Sequence, residues 1–183
     1  VPQLVTHKAL VENDLERAIF WATSFEKTCV KPLAESDLLG GVLFQLSPYF
    51  KNLGSALANL KGVLDAGSYE KHDYAVEFRH TSWLGEEMRE NDPATLEALR
   101  ERNVANVLID GPGLHIAAGP TADHAYLRFH GRNYDIWYKS EKEDDHRLDR
   151  YDFLYQADQL APWVPRIKDA ELKAAKVRIY FNN

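Results

Sequence analysis

The sequence predicts an α/β protein that forms part of a TIM-type (β/α)8 barrel, about strands 4 to 8 with their helices. Three observations support this prediction. Five short apolar segments alternate with helical segments along the chain, which favours parallel strands joined by right-handed crossovers. Each strand is apolar on one face, while the other face turns polar toward the strand's end. A complete barrel needs about 250 residues, and this chain has 183.

Each predicted element follows from the spacing of its apolar residues. The chain begins with a helix over about 10–30, a strand at 41–48 and a helix through the leucines at 53, 57, 60 and 64. A strand at 74–80, a helix at 93–103 and strands at 104–110 and 124–131 follow. The last two elements are a helix over about 151–175 and a strand at 176–181. The glycine- and proline-rich stretch 111–123 is predicted to be a loop. The charged run Glu141–Asp145 is predicted to be a solvated loop, with a lid as the alternative.

Two other sheet architectures fit less well. An antiparallel sheet with one solvated face would alternate in the same way, but it would not explain the helices between the strands. An open doubly wound sheet carries helices on both faces, so its strands would be apolar throughout. In a barrel one strand face meets helices and the other points inward, toward the mouth where active sites lie. We therefore predict a single incomplete barrel domain over residues 1–183.

Composition limits the classes of function. The net charge is −6, so the overall field repels nucleic acid and phosphate binding would need a local basic patch. No apolar run approaches the roughly 20 residues of a membrane span, and no membrane partner is expected. The single Cys29 excludes an internal disulfide and suits a reducing compartment, so a cytoplasmic location is expected. A nucleophile elbow, a phosphate loop and a dinucleotide fingerprint are absent from the sequence.

The stretch "VEFRHTSW" (76–83) places charged side chains on an otherwise apolar strand. Glu77 and Arg79 are two residues apart, so they point to the same side. Arg128 and His130 repeat this spacing on another strand, and Arg132 follows in a loop. Carboxyl ends of parallel strands meet at one mouth, where three guanidiniums would grip a phosphate or carboxylate. Glu77 and His130 would then be the catalytic acid/base pair. The alternative interpretation is that Glu77 and Arg79 belong to an ion-pair network that ties the barrel strands together.

Other strand ends supply further candidates. Gln45, Asp110 and Asn182 are expected to contribute to substrate binding, with Asp110 on the inward face. His80 is expected to face the helices and Trp83 to pack in the core. A metal is not predicted, because arginines crowd the carboxylates and histidines that could bind one, namely His7, Glu77, Asp110 and His130. The cofactor is left as unknown.

Several ordered motifs carry a resemblance to a known family. "GVLFQLSPYFK", "YAVEFRHTSW", "AYLRFHGRN", "RYDFLY" and "YFNN" resemble, in the same order, the motifs of the YecE-like family of uncharacterised proteins. The resemblance implies a TIM-type barrel and places Thr6 and His7 at the end of its third strand. It also implies that the first three strands and the last helix are absent from this chain. It implies no activity.

Two functions from different classes remain open at this stage. The first is a hydrolase acting on a phosphate-containing or otherwise anionic substrate. The second is a non-catalytic module that binds an anion or nucleic acid. The expected partner is an anionic small molecule or a nucleic-acid phosphate. The missing barrel strands are expected from a segment outside this chain or from another chain.

Overall fold

Five parallel strands form one sheet, in the same order as they occur along the chain. The structure is a computed structural model that describes residues 1–85, 90–112, 119–134 and 152–182. The strands are β1 (Val42–Gln45), β2 (Tyr74–Glu77), β3 (Ala105–Asp110), β4 (His124–Phe129) and β5 (Lys176–Phe181). All four neighbouring pairs are parallel, which is the topology of a half-barrel sheet. The five predicted strands are confirmed.

Helices connect the strands wherever the described residues allow them to be traced. They are α1 (Leu15–Phe25), α2 (Lys31–Glu35), α3 (Ala56–Asp65), α4 (Pro93–Arg100), α5 (Ala157–Leu160) and α6 (Trp163–Lys173). Short polar side chains begin two of them: the carboxylate of Asp14 accepts from the backbone N–H of Arg17 at 3.0 Å, and that of Asp92 from Thr95 at 3.1 Å. Such caps satisfy N–H groups that a helix start leaves unpaired. No helix of the described ranges is long and apolar enough to cross a membrane.

Strand side chains alternate between a helix-covered outer face and an inner face. Outward residues of β1 and β2 join the main core together with α1 and α3, whereas those of β4 pack against Trp163 of α6. Inward residues of β1, β2 and β3 form a separate apolar layer. Trp83 is fully buried between Phe50 and Phe78, and its indole N–H donates to the Phe50 carbonyl at 2.8 Å. The predicted packing role of Trp83 is confirmed.

The first residues of the chain differ from the expectation. Leu4–Ala9 is a π-helical segment, so the placement of Thr6 and His7 at the end of a strand was wrong for this structure. The segment nevertheless packs beside the end of β1. The Thr6 carbonyl accepts from the backbone N–H of Ser47 at 3.3 Å, and Thr6 itself is buried.

The last predicted helix is interrupted. Residues 152–156 are not helical, and the helical stretch is split into α5 and α6 on either side of Pro162. A proline ring prevents the residue before it from continuing a helix freely and removes one N–H donor. The expected loop at 141–145 lies outside the described residues.

Candidate functional site

The carboxylate of Glu77 is the centre of a polar cluster at the carboxyl end of the sheet. Glu77 ends β2 and is fully buried. Gln45 Nε2 donates to its Oε1 at 2.9 Å, and Arg128 Nη1 donates to its Oε2 at 2.8 Å. His130 Nε2 lies 3.1 Å and Arg79 Nη1 3.4 Å from Oε1. One buried carboxylate therefore contacts four donors from β1, β2, β4 and the segments that follow them.

The surroundings of Glu77 fix its charge. Burial by itself raises the pKa of the carboxyl group, but the contact with His130 and the charges of Arg128 and Arg79 outweigh burial and hold the pKa at about 2. Glu77 is therefore an anion at neutral pH. A group with so low a pKa exchanges protons poorly near neutrality, so Glu77 acts as a fixed counter-charge that positions its neighbours.

Asn182 extends the cluster to the end of β5. Arg128 Nη2 donates to Asn182 Oδ1 at 2.9 Å, and Asn182 Nδ2 lies 3.3 Å from His130 Nδ1. Arg128 thus bridges Glu77 and Asn182, and its side chain is only 13% exposed. Arg79 is the more accessible guanidinium, at 23%.

The register of the sheet explains why these residues meet. Gln45 pairs directly with Glu77 across β1 and β2, and Arg128 pairs with Tyr180 across β4 and β5. Six of the eight predicted site residues come together as a result: Gln45, Glu77, Arg79, Arg128, His130 and Asn182.

Asp110 and Arg132 lie elsewhere, and the prediction that Asp110 points inward was wrong. Asp110 pairs with Phe129, an outward residue that packs on Trp163. Its carboxylate accepts from Arg132 Nε at 2.8 Å, from a second nitrogen of Arg132, and from Trp163 Nε1 at 2.6 Å. The Tyr155 hydroxyl lies 3.3 Å away. Two guanidiniums, and not the expected three, therefore belong to the Glu77 cluster.

His7 lies nearer the Glu77 cluster than the sequence indicates. Although the residue is on the π-helical segment and not on a strand, it lies close enough to Arg79 for the guanidinium charge to act on it. Burial, and secondly the charge of Arg79, lower the pKa of His7. His7 Nδ1 and the Thr6 hydroxyl are 2.9 Å apart. The only signal for His7 in the sequence was the Thr-His pair itself, because a residue on a helical segment does not follow the alternation of strand faces.

His80 has a local structural role. It precedes the short 3-10 turn Thr81–Trp83, and its Nδ1 accepts from the backbone N–H of Ser82 at 3.0 Å. Burial, and secondly the charge of Lys51, lower the pKa of His80. These contacts agree with the structural interpretation of His80.

The described residues contain one group of three side chains spaced closely enough to hold a metal ion, Asp73, Asp123 and His124. The group lies at the amino end of the sheet, opposite the Glu77 cluster. Its Asp73 carboxylate is already bound by Arg178 at 2.8 Å and Lys176 at 3.2 Å. Two cations on one ligand disfavour a further cation, so the geometry is that of an ion-pair cluster joining strand starts.

Comparisons with known proteins agree with this architecture. The chain is 27% identical over 165 residues to the UPF0759 protein YunF of Bacillus subtilis (strain 168), which is 86% of this chain and 56% of that protein. A DUF72 family protein from Thermotoga maritima matches with a TM-score of 0.75 and 28% identity over 99% of this chain and 64% of that one. A DUF72 family protein from Enterococcus faecalis V583 shares the fold, with a TM-score of 0.69 and 22% identity over 93% of this chain and 59% of that one. The chain therefore spans less than two thirds of each of these relatives.

The family model described as "Protein of unknown function DUF72" matches residues 1–183. YecE-like is another name for that family, so the resemblance found in the motifs agrees with the match. The chain belongs to the DUF72 family.

Proposed function

We propose that the Glu77 cluster binds an anionic group, and that the ligand is a phosphate-containing molecule. The observation that carries the proposal is a charge imbalance: among the described residues, two guanidiniums, Arg79 and Arg128, face a single carboxylate. These described side chains therefore carry a surplus of positive charge. A partly buried positive charge attracts an anion strongly, because little solvent screens it.

Arg79 is the residue proposed to contact the ligand first. Its distance to Glu77 is long, 3.4 Å, and it is the more exposed guanidinium of the pair. Arg128 is held on both sides by 2.8 and 2.9 Å hydrogen bonds. Arg79 can therefore turn toward a ligand at small cost, whereas Arg128 must first release one of its two hydrogen bonds. Guanidinium planes match the oxygens of phosphate and carboxylate in pairs.

The reaction proposed for this site is hydrolysis of the phosphate-containing substrate, with His130 as the residue that exchanges a proton. Histidine is the side chain suited to proton exchange near neutral pH. His130 lies 3.1 Å from a carboxylate that stays ionised, an arrangement that orients an imidazole for acid–base work. Glu77 then positions His130. The second candidate is a module that binds an anion or nucleic acid without catalysis, favoured by the deep burial of His130.

We also propose that the half-barrel sheet is part of a complete TIM-type (β/α)8 barrel, with residues 1–183 as one incomplete domain. The parallel order of the strands and the cluster at their carboxyl ends support this, since active sites of such barrels lie at that end. The remaining strands would come from a segment outside this chain or from another chain. The single cysteine supports a cytoplasmic location.

The test is a calorimetric titration of the chain with inorganic phosphate at low salt. Arg79→Ala is expected to weaken binding at least tenfold, because a hydrogen bond to a charged group contributes about 1.5–3 kcal/mol. The control is Arg100→Ala, which removes the same charge from an exposed position on α4 and should leave the affinity unchanged. Equal affinities for the three proteins would contradict the proposed site.

Catalysis is tested separately. The wild type is incubated with a chromogenic phosphomonoester and a phosphodiester, and His130→Gln is measured beside it. Turnover that the variant loses while it still binds phosphate supports the hydrolase. Phosphate or oligonucleotide binding without turnover on either substrate supports the binding module.

A further inference from the structure

Four side chains of the site close a ring of polar contacts. Arg128 Nη1 donates to Glu77 Oε2 at 2.8 Å, and Arg128 Nη2 donates to Asn182 Oδ1 at 2.9 Å. Asn182 Nδ2 lies 3.3 Å from His130 Nδ1. His130 Nε2 lies 3.1 Å from Glu77 Oε1 and completes the ring. The ring joins β2, β4 and β5 where their carboxyl ends meet.

The chemistry of the four groups sets the direction of each contact. A guanidinium can only donate, so the oxygen of Asn182 must face Arg128 and its NH2 group must face His130. Nδ1 of His130 must then accept a hydrogen bond. The proton of a neutral imidazole is consequently on Nε2, and Glu77 Oε1 lies 3.1 Å from that nitrogen. The complete ring therefore specifies a neutral His130 with the proton on Nε2.

A second proton on His130 cannot coexist with this ring. Protonated Nδ1 would oppose the NH2 group of Asn182, donor against donor. Turning the amide by half a turn would restore the contact with His130, but it would present the NH2 group to Arg128, which is again a donor. No orientation of Asn182 serves both an imidazolium and Arg128. The charge on His130 and the hydrogen bond on Arg128 Nη2 exclude each other.

We propose that Asn182 is a positioning residue that couples anion binding at Arg128 to proton uptake by His130. This inference rests on the proposed function, since it needs an anion at the site. The anion replaces the Asn182 oxygen on Arg128 Nη2, and the amide turns. Its oxygen then accepts from Nδ1–H of His130, which has taken a proton from solvent. The resulting imidazolium is held between Glu77 and Asn182, and its charge adds to the attraction for the anion.

Asn182→Asp is the variant that separates this role from a merely structural one. A carboxylate can accept from Arg128 and from an imidazolium at the same time. The variant therefore holds His130 in its doubly protonated form without any anion. Nitrogen NMR of the imidazole reports the two forms directly: we expect a proton on Nε2 alone in the free wild type at neutral pH, and protons on both nitrogens in the variant.

Proton uptake is counted by calorimetric titration with sulfate in two buffers of different ionisation enthalpy. Sulfate carries no titratable proton near neutral pH, so uptake reports on the protein. We expect about one proton per sulfate for the wild type and close to none for Asn182→Asp. Sulfate binding without proton uptake, or a proton on Nδ1 in the free wild type, overturns the inference alone. Absence of both sulfate and phosphate binding overturns the proposed function along with it. The wild-type measurements decide the matter even if the variant does not fold.

Discussion

Replacing Glu77 by glutamine is the perturbation whose outcome follows most directly from the structure. Glutamine keeps the size of the side chain and removes its charge. Arg79 and Arg128 would then share a buried region without a counter-charge. Removing one partner from a buried ion pair is strongly destabilising, by about 3–5 kcal/mol. We therefore expect a large loss in the free energy of unfolding at neutral pH.

The pKa of Glu77 gives an independent magnitude. The pKa falls from 4.5 to about 2 on folding, and each unit corresponds to about 1.4 kcal/mol. Because the folded pKa is the lower one, the stabilisation is fully present above the unfolded value and is lost as pH falls through the folded value. The charged form thus contributes about 3 kcal/mol at pH 7 and about 1 kcal/mol at pH 3.

The assay is urea unfolding of the wild type and Glu77→Gln at both pH values. We expect the difference in unfolding free energy between them to shrink by more than half from pH 7 to pH 3. The control is Glu97→Gln, an exposed carboxylate 3.6 Å from Arg100, which should change stability by no more than about 0.5 kcal/mol at either pH. A penalty for Glu77→Gln that does not vary with pH would refute an ionised, paired carboxylate.

Three further predictions concern the surroundings of the site. Asp110→Asn removes the carboxylate that binds an arginine and an indole, so urea unfolding should show a loss of about 3 kcal/mol; weaker phosphate binding in the still-folded protein would contradict its placement on the outer face. Gly111→Ala puts a new Cβ 3.0 Å from the Cβ of His130, so we expect a cost of about 1–3 kcal/mol and a shifted imidazole NMR signal, and an unchanged signal would argue against that contact. Burial raises the pKa of Asp73, but hydrogen bonds from Arg178 and Lys176 outweigh it and lower the pKa. Asp73→Asn should therefore destabilise the protein at pH values above the ordinary pKa of a carboxyl group, and the loss of stability should shrink as the pH falls below that value. Thermal melts that show a loss of stability constant with pH would exclude this pairing.

The site residues on β2 and β4 could be predicted because two simple rules suffice for them. Side chains two positions apart on a strand share a face, which relates Glu77 to Arg79 and Arg128 to His130. Parallel strands end at a common edge, so charged residues at their ends converge there. Both rules act within a strand or between neighbouring elements, and neither needs the exact register.

The face of Asp110 could not be predicted from the same rules. All six residues of β3 are buried, so the strand lacks the alternation of exposed and buried positions that would set its phase. Asn106, Leu108 and Asp110 share one face of the strand, and Val107 and Ile109 point inward with the apolar inner layer. A shift of one residue in phase moves a whole strand's side chains to the other face. Arg132 follows Gly131, whose φ of +82° turns the chain out of the strand. The alternation of strand faces therefore does not predict the side on which Arg132 lies.

Two buried carboxylates, Asp110 and Glu77, lie at the ends of neighbouring strands of the sheet. Among the described residues, the contacts of the Asp110 carboxylate include the guanidinium of Arg132, the neutral N–H of Trp163 and the hydroxyl of Tyr155. Its ion pair with Arg132 ties β3 to the chain segments around α6. Glu77 has two guanidinium partners among the described residues, and one of them, Arg79, lies 3.4 Å away and is partly exposed. If the Glu77 cluster served only to hold strands together, a second guanidinium would add repulsion between cations without adding a counter-charge. An arriving anion turns that excess into attraction, and this excess is the physical reason for proposing that the Glu77 cluster receives a ligand.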